Sequence, residues 1–282
     1  MIRKIFLPIL LLFSVVGGTT TALHAQTEVD LGGEAGGRFA LAVDKKLAKG
    51  LHLRLEEEVR FDNNFASFDR FHTTLGLTCK LSRHFKAGLG YSMINPYGDG
   101  AFKGARHRAM LDATCGLHLG DWRLSLKERF QATYRTGDMN IYQSPRTALT
   151  LKSRLKLQYN GFRRVEPYTS VELRNTLNAP VVNATYNAAT DTWGYYADGV
   201  FTQKGEAGWF LDGERGVYVN RLRFALGMEY RISRQSSIDI CLMADRVMDK
   251  EIDANAEGTK LKSYTREAGL VGWLAVAYCY SL

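Results

Sequence analysis

Charged side chains occupy every second position along several segments of this chain. In Leu51–Asp62 the polar phase contains Arg54, Glu56, Glu58 and Arg60, and the other phase is mostly apolar. Alternation of this kind puts the charges on one face of a β-strand. Over all the alternating segments together, cations outnumber acids in the polar phase. A low-dielectric wall would focus their field, which favours recognition of anions such as acidic sugars or phosphate esters. The predicted basic cluster is Arg54, Arg60, Arg108, Arg123, Arg129, Lys152, Arg154, Lys156 and Arg223, and its predicted acidic partners are Glu56, Glu58, Glu172 and Glu229.

Hydrolytic chemistry has one weak candidate pair. If the alternating strands formed a barrel in an outer membrane, a lipid hydrolase built on it would need Ser and His on the outward face near the external leaflet. His107 lies in the outward phase, at a distance from the strand end that suits the external leaflet. Ser153 is also in the outward phase but falls two strands away, so a histidine at the membrane boundary is the favoured interpretation of His107. The other histidines of the polar phase, His52, His72 and His118, have no metal-ligand spacing. We therefore predict no catalytic residue, no metal site and no cofactor, and favour a non-enzymatic role.

Two glutamates interrupt the apolar phase near the middle of their strands. Glu57 lies among leucine, valine and phenylalanine, and Glu128 has a similar setting. A β-bulge that shifts the phase is the favoured explanation. A contact between two protomers, with the carboxyl group bonded across, is the alternative.

The four cysteines show no metal-type spacing. Cys79 and Cys115 fall in the apolar phase. Cys241 and Cys279 fall in the polar phase of the last two strands, so the sequence leaves open a cross-strand disulfide in an oxidising compartment.

The longest connection, Leu177–Asn220, contains aromatic residues among Gly, Asn and Asp. It could form a sugar-binding surface or fold into the mouth of a barrel and narrow it, and the second is favoured. The candidate solute contacts in this loop are Trp193, Tyr195, Tyr196 and Trp209.

Alternating segments of about ten residues, joined by connections that alternate between short and long, are typical of a transmembrane β-barrel. We predict an all-β fold with a single antiparallel up-and-down barrel of about twelve strands, short periplasmic turns and long extracellular loops. Eleven strands are clear, and an extra short strand near Thr27–Gly33, with Gly32–Gly33 and Gly36–Gly37 forming the bend, makes the number even. The clear candidates are Arg38–Asp44, Leu51–Asp62, Arg70–Leu81, Phe85–Ile94, Arg106–Leu119, Trp122–Tyr134, Arg146–Tyr159, Val165–Thr176, Arg221–Ile232, Ser236–Asp245 and Tyr264–Leu282.

The first 25 residues have the pattern of a secretory signal peptide. Arg3 and Lys4 precede the apolar run Ile5–Val16, which is too short for a helical span. Cleavage is expected after Ala25, and cleavage after Ala22 is the alternative because Leu23 is large for the −3 position. We therefore expect residues 1–25 to be removed and residues 26–282 to form one barrel domain in the outer membrane of a Gram-negative bacterium.

Several runs of the mature chain carry a resemblance to a known family. They read LEEEVRFDNN, DRFHTTLGLTCKLSRHFKAGLGYSMI, RHRAMLDATCGL and LSLKERFQATYR. The chain resembles an uncharacterised family of Gram-negative outer-membrane barrels, a domain of unknown function. The resemblance implies the fold and carries over no catalytic residue.

The sequence favours a small passive channel or solute-binding barrel with a basic lumen for anionic solutes. A braced or narrow lumen and an open pore both fit the charge pattern. The alternative functions are an outer-membrane lipid hydrolase and a non-conducting structural or surface-assembly barrel. The expected partners are outer-membrane lipids and lipopolysaccharide, the barrel-insertion machinery, small anionic solutes and a second copy of the chain, with no role for nucleic acid.

Overall fold

A computed structural model describes residues 27–30, 34–182, 185–187, 189, 192–197, 200–203, 210–256 and 261–282. The predicted signal peptide lies outside the described residues, so its cleavage stays a prediction. The strands are β1 (Thr27–Asp30), β2 (Glu34–Ala48), β3 (Leu51–Asp62), β4 (Ser67–Lys80), β5 (Phe85–Gly98), β6 (Ala101–Phe102), β7 (Arg106–Leu119), β8 (Trp122–Arg135), β9 (Thr147–Tyr159), β10 (Val165–Val182), β11 (Thr185–Asn187), β12 (Thr192–Ala197), β13 (Val200–Gln203), β14 (Phe210–Arg231), β15 (Ser236–Ala254) and β16 (Leu261–Ser281).

The strands form a closed barrel, which confirms the predicted fold class. Its wall follows the order β2, β3, β4, β5, β7, β8, β9, β10, β14, β15 and β16, and β16 pairs again with β2. Each consecutive pair is antiparallel. Closure removes the open edge that a sheet would otherwise expose. Within the described residues, no helix combines the length and apolar character that a membrane crossing requires.

The barrel closes through a parallel pair, because an odd number of up-and-down strands brings the first and last strands together in the same direction. The pairing of β16 with β2 runs from Val271 opposite Glu34 to Ser281 opposite Asp44. The extra strand, β1, is also parallel to β16. It therefore continues in the direction of β2 instead of forming the predicted bend, and the wall has eleven strands, not an even number.

The two faces of the wall differ as the alternation predicts. Large apolar side chains such as Leu41, Leu111, Leu226 and Leu242 are exposed on the outside. Most of the buried polar or charged residues are on the inward phase. An apolar outer face and a polar interior are the arrangement that a barrel in lipid requires.

Short turns join the strands at one end of the barrel, the turn end, and longer connections join them at the other, the loop end. Aromatic clusters mark both ends. At the loop end Phe68 packs against Phe61 and Tyr97, and at the turn end Tyr159 packs against Trp122 and Phe162. Aromatic girdles at two levels are characteristic of membrane barrels.

Several strands are longer than predicted, and three of them lengthen the wall most at the loop end. β14, β15 and β16 contain 22, 19 and 21 residues and extend past the rest of the wall at the loop end. The predicted loop Arg246–Ser263 is therefore largely an extension of the β15–β16 hairpin. The predicted loop Leu177–Asn220 likewise contains the end of β10, the start of β14 and a separate sheet formed by β11, β12 and β13.

Candidate functional site in the barrel lumen

A polar cavity of about 560 Å³ occupies the middle of the lumen, and we call it the cationic cavity. Nine cationic side chains and four carboxylates line it, an excess of five positive charges. The alternation within each strand brings these side chains together, since every wall strand except β15 and β16 contributes to the lining. The charged lining is Arg38, Arg54, Glu56, Glu58, Arg60, Arg108, Asp112, Lys127, Arg129, Lys152, Arg154, Glu172 and Arg223.

Most members of the predicted cluster therefore lie around one space. Ten of the thirteen line the cavity; Arg123, Lys156 and Glu229 do not. Those three lie on inward positions nearer the turn end, where Arg123 is opposite Gln158. The distance of each residue from a strand end was readable in the sequence, but the relative height of neighbouring strands was not.

Salt bridges occupy several of the cations. Asp112 accepts hydrogen bonds from Arg129 Nε at 2.6 Å and from Arg129 Nη2 at 2.7 Å, and Lys127 Nζ lies 2.8 Å from it. Glu56 accepts from Arg54 Nη2 at 2.6 Å. Such pairs hold long side chains against the wall and keep them out of the central space.

Asp245 anchors an arginine cluster and was missed by sequence reasoning. It is fully buried, and it accepts hydrogen bonds from Arg223 Nε at 2.5 Å, Arg223 Nη2 at 2.6 Å and Arg221 Nη1 at 3.2 Å. Arg38 Nη2 lies 4.0 Å from the same carboxylate, and the Arg38 guanidinium stacks over Trp273 at 4.4 Å. The sequence does contain a signal for a buried carboxylate here, because Asp245 lies in the inward phase of β15, as Asp239 does.

One lysine and one arginine on β9 lack such partners. Within the described part of the chain, neither Lys152 nor Arg154 has a carboxylate oxygen within 4 Å, and Arg108 donates to the neutral hydroxyl of Thr133 at 3.0 Å. Residues 152 and 154 are opposite Arg129 and Lys127 on β8. Lys152, Arg154 and Arg108 thus have no direct ion pair among the described residues, although Arg154 is opposite Glu172 on β10.

Below the cavity, toward the turn end, the lumen contains Tyr168, Asp239 and Lys156. The Tyr168 hydroxyl donates to Asp239 Oδ1 at 2.8 Å, and Lys156 Nζ lies 3.6 Å from the centre of the Tyr168 ring. The ring lies flat on β14 because residue 227 is glycine; a Cβ there would be 2.5 Å from Tyr168 Cζ. Tyr168 therefore packs against the wall instead of crossing the lumen.

At the loop end, the connection between β8 and β9 reaches across the mouth, and we call residues 136–146 the mouth loop. Asn140 Nδ2 donates to the carbonyl oxygens of Ala254 at 3.1 Å and Asn255 at 2.9 Å. Gln143 Nε2 donates to Asp253 Oδ1 at 2.7 Å. Since β15 is three wall strands away from β9, the loop spans part of the opening. The sequence predicts constriction by another loop, Leu177–Asn220.

Of the four predicted aromatic contacts in that other loop, three have a described backbone. Tyr195 and Tyr196 pair through their backbone with β13, and Trp193 pairs with β11. Their side chains, and Trp209 altogether, lie outside the described residues, so their role in solute contact stays a prediction.

In another connection at the loop end, a hydrogen bond from Lys103 Nζ at 2.8 Å lowers the pKa of the exposed Asp99 carboxyl.

The two glutamates in the apolar phase belong to the outer face, and the bulge interpretation is wrong. Glu57 is opposite Thr73 and Glu128 is opposite Ser153, in register that is continuous around both pairs. Each carboxylate accepts a hydroxyl hydrogen bond across the strand, from Thr73 Oγ1 at 2.9 Å and from Ser153 Oγ at 2.6 Å. Side chains within this chain thus supply part of the hydrogen bonding that lipid cannot.

The cysteines are free. Cys241 is opposite Ala275, whereas Cys279 is opposite Ser237, so four residues along β15 separate the two thiols. That offset is about 13 Å at the usual rise per strand residue, too far for a disulfide. The open alternative of a bond between them is thereby removed.

The hydrolase pair is not assembled either. His107 Nδ1 lies 2.6 Å from the Tyr91 hydroxyl, and Ser153 bonds to Glu128. Tyr134 is opposite both His107 and Thr147, which puts Ser153 six residues away along β9, about 20 Å. The described residues contain no group of three His, Cys, Asp or Glu side chains that could hold a metal ion.

Residues 39–255 match the family described as Protein of unknown function (DUF2490). The chain belongs to this family. No curated protein matches it. Two solved structures are similar to this DUF2490 protein at 13% identity: the NanC porin, over 88% of this chain and 98% of that chain with a TM-score of 0.42, and an anion-selective porin from Comamonas acidovorans, over 81% and 53% with a TM-score of 0.33.

Proposed function

We propose that this DUF2490 protein is a passive outer-membrane channel for small anionic solutes. The observation that carries the proposal is the cationic cavity, with its excess of five positive charges. One unit charge about 10 Å from a solute, at an effective dielectric constant of about 20, contributes about 1.7 kcal/mol. Several such charges favour an anion over a cation of the same size by much more than thermal energy.

The volume of the cavity leaves room for a small solute inside a lumen that salt bridges also brace. Liquid water takes about 30 Å³ per molecule, so about 560 Å³ has room for a small hydrated anion. Salt bridges at Asp112 and Asp245 hold arginines against the wall, which leaves this space unfilled.

The proposed location follows from the apolar outer face and the aromatic girdles. A cleaved signal peptide at residues 1–25 would deliver the chain across the inner membrane. The turn end would then face the periplasm and the loop end the exterior, as in other outer-membrane barrels.

The test is a planar-bilayer recording on purified protein refolded from the mature chain. In a salt gradient, the reversal potential is expected to show a preference for chloride over potassium. Absence of single-channel steps from protein that is folded by heat-modifiable migration would refute the channel and favour the structural alternative.

Arg154→Glu provides the residue-level prediction. Arg154 lines the cavity and has no carboxylate partner within 4 Å among the described residues, so the substitution changes the local charge by two units. The anion preference is expected to fall at low salt, and high salt should mask the effect through screening. Arg83→Glu, an equal charge change in an exposed turn, is the control that should keep the original reversal potential.

A further inference from the structure

A second cavity, of about 510 Å³, lies at the loop end of the lumen, and we call it the vestibule. Strands β8, β9, β10, β14 and β15 supply its walls, and Gln143, Ser144 and Pro145 of the mouth loop complete them. Among the described residues, the two cavities share no lining residue. A solute entering from the loop end would meet it first.

The vestibule differs from the cationic cavity in charge. Arg135, Arg174 and Lys250 line it together with Asp249 and Glu251, an excess of only one positive charge. Charge alone therefore gives this site little preference for anions. Its selectivity must come from hydrogen bonds and shape, which are the means by which concave sites orient a bound molecule.

Two buried polar atoms in the lining have no hydrogen-bond partner among the described residues. Asn220 is 4% exposed, and its Nδ2 donates to Asp249 Oδ1 at 3.2 Å. That bond fixes the orientation of the amide, so that the Oδ1 atom points away from Asp249. In the described part of the chain, Oδ1 is an acceptor without a hydrogen-bond donor. Arg174 Nε is an unmatched donor in the same lining. A ligand that satisfies both must both donate and accept.

A hydroxyl group both donates and accepts, and a molecule with several hydroxyls could satisfy both atoms at once. Tyr218 adds an aromatic ring, with Lys250 Nζ 4.8 Å from its centre, against which the C–H face of such a molecule could pack. We propose that the vestibule binds a hydroxyl-rich small solute of the monosaccharide or polyol class.

This inference deepens the proposed function, and it rests on that function in one respect only. A sugar that also carries an acid group would contact the vestibule through its hydroxyls and then the cationic cavity through its charge. Binding of the hydroxyl-rich part does not depend on whether the lumen conducts.

The experiment measures binding to the refolded mature chain by calorimetry, in a detergent without a sugar headgroup. The probes are methyl glucoside (hydroxyls, no charge), glucuronate (hydroxyls and an acid) and propionate (an acid alone). Methyl glucoside and glucuronate are expected to bind. Asn220→Leu should weaken methyl glucoside binding by about tenfold or more, because it removes the acceptor and frees Asp249. Asn95→Leu on the outer face is the matched control and should leave the affinity unchanged.

Tyr218→Ala serves as a second variant in case Asn220→Leu does not fold, and it should also weaken methyl glucoside binding. Undiminished binding to the folded variants overturns the vestibule assignment. If neither methyl glucoside nor glucuronate binds, the vestibule assignment is also overturned. Anion-selective conductance in the same protein would still support the proposed channel. Hexose binding that depends on Asn220 without any anion preference supports the vestibule and removes the anion channel.

Discussion

At the scale of single residues, Asp245 shows how one buried carboxylate organises the charge of the lumen. It has no solvent exposure and bonds to both Arg221 and Arg223. Removing one partner of a buried ion pair leaves the other charge uncompensated, which typically costs about 3–5 kcal/mol. The side chain itself lines no part of the cationic cavity, so its effect on a solute acts through the arginines that it positions.

Asp245→Asn is therefore expected to lower the free energy of unfolding by about 2–4 kcal/mol and to strengthen the anion preference, because Arg223 loses its counter-charge. Urea titration in detergent and the reversal potential measure the two effects. Asp121→Asn, in an exposed turn, is the control. An unchanged reversal potential in the folded Asp245→Asn variant would contradict the positioning role.

Glu128 presents the opposite case, a carboxylate on the apolar outer face. It accepts a hydrogen bond from the Ser153 hydroxyl at 2.6 Å. Glu128→Gln keeps a carbonyl acceptor and removes an acid from hydrocarbon, so the free energy of unfolding should stay the same or rise by about 1 kcal/mol. Folding titrations in lipid vesicles measure it. A loss of more than about 1 kcal/mol would mean that the negative charge itself is needed, as a contact with a second protomer requires.

At the scale of elements, the mouth loop is the segment that the barrel positions across its own opening. Asn140 and Gln143 attach it to the end of β15. Each hydrogen-bonding side chain contributes about 1 kcal/mol, so replacing both with alanine should shift the balance between closed and open positions of the loop by about tenfold or more.

The double substitution Asn140→Ala and Gln143→Ala should consequently raise the mean single-channel conductance or the open fraction. Gln235→Ala, in a turn at the other end, is the matched control. Identical recordings from the double variant and the unsubstituted protein would show that the loop does not narrow the current path.

At the scale of the whole molecule, the parallel pairing of β2 with β16 closes the barrel. Ala42 is opposite the native Cys279 on the inner face. In a background with Cys79, Cys115 and Cys241 replaced by alanine, Ala42→Cys should be linked to Cys279 by a short thiol-specific cross-linker. The product is a covalent loop that migrates anomalously after boiling.

Ala48→Cys, beyond the part of β2 that pairs with β16, is the comparison and should react much less. A twelve-strand antiparallel barrel would separate β2 from β16 by another strand. Absence of cross-linking through residue 42 would therefore contradict the eleven-strand closure.

The sequence by itself predicted the barrel, most of its wall strands and the two faces of the wall. Leu51–Asp62 and Arg106–Leu119 have the predicted bounds, because strand side chains alternate and the two faces meet different solvents. It also placed Glu57 and Glu128 in the outward phase, although the explanation first favoured for them was wrong.

Only the tertiary structure decided which strands meet and at what height. Whether the wall has an odd or an even number of strands depends on which strands pair at closure. The separation of Cys241 from Cys279 and the bonds of Asp245 depend on the register between strands, which local alternation does not encode. The mouth loop and the vestibule depend on contacts between segments far apart in the chain. Alternation fixes the direction of a side chain, whereas its neighbours across the lumen are fixed only when the barrel closes.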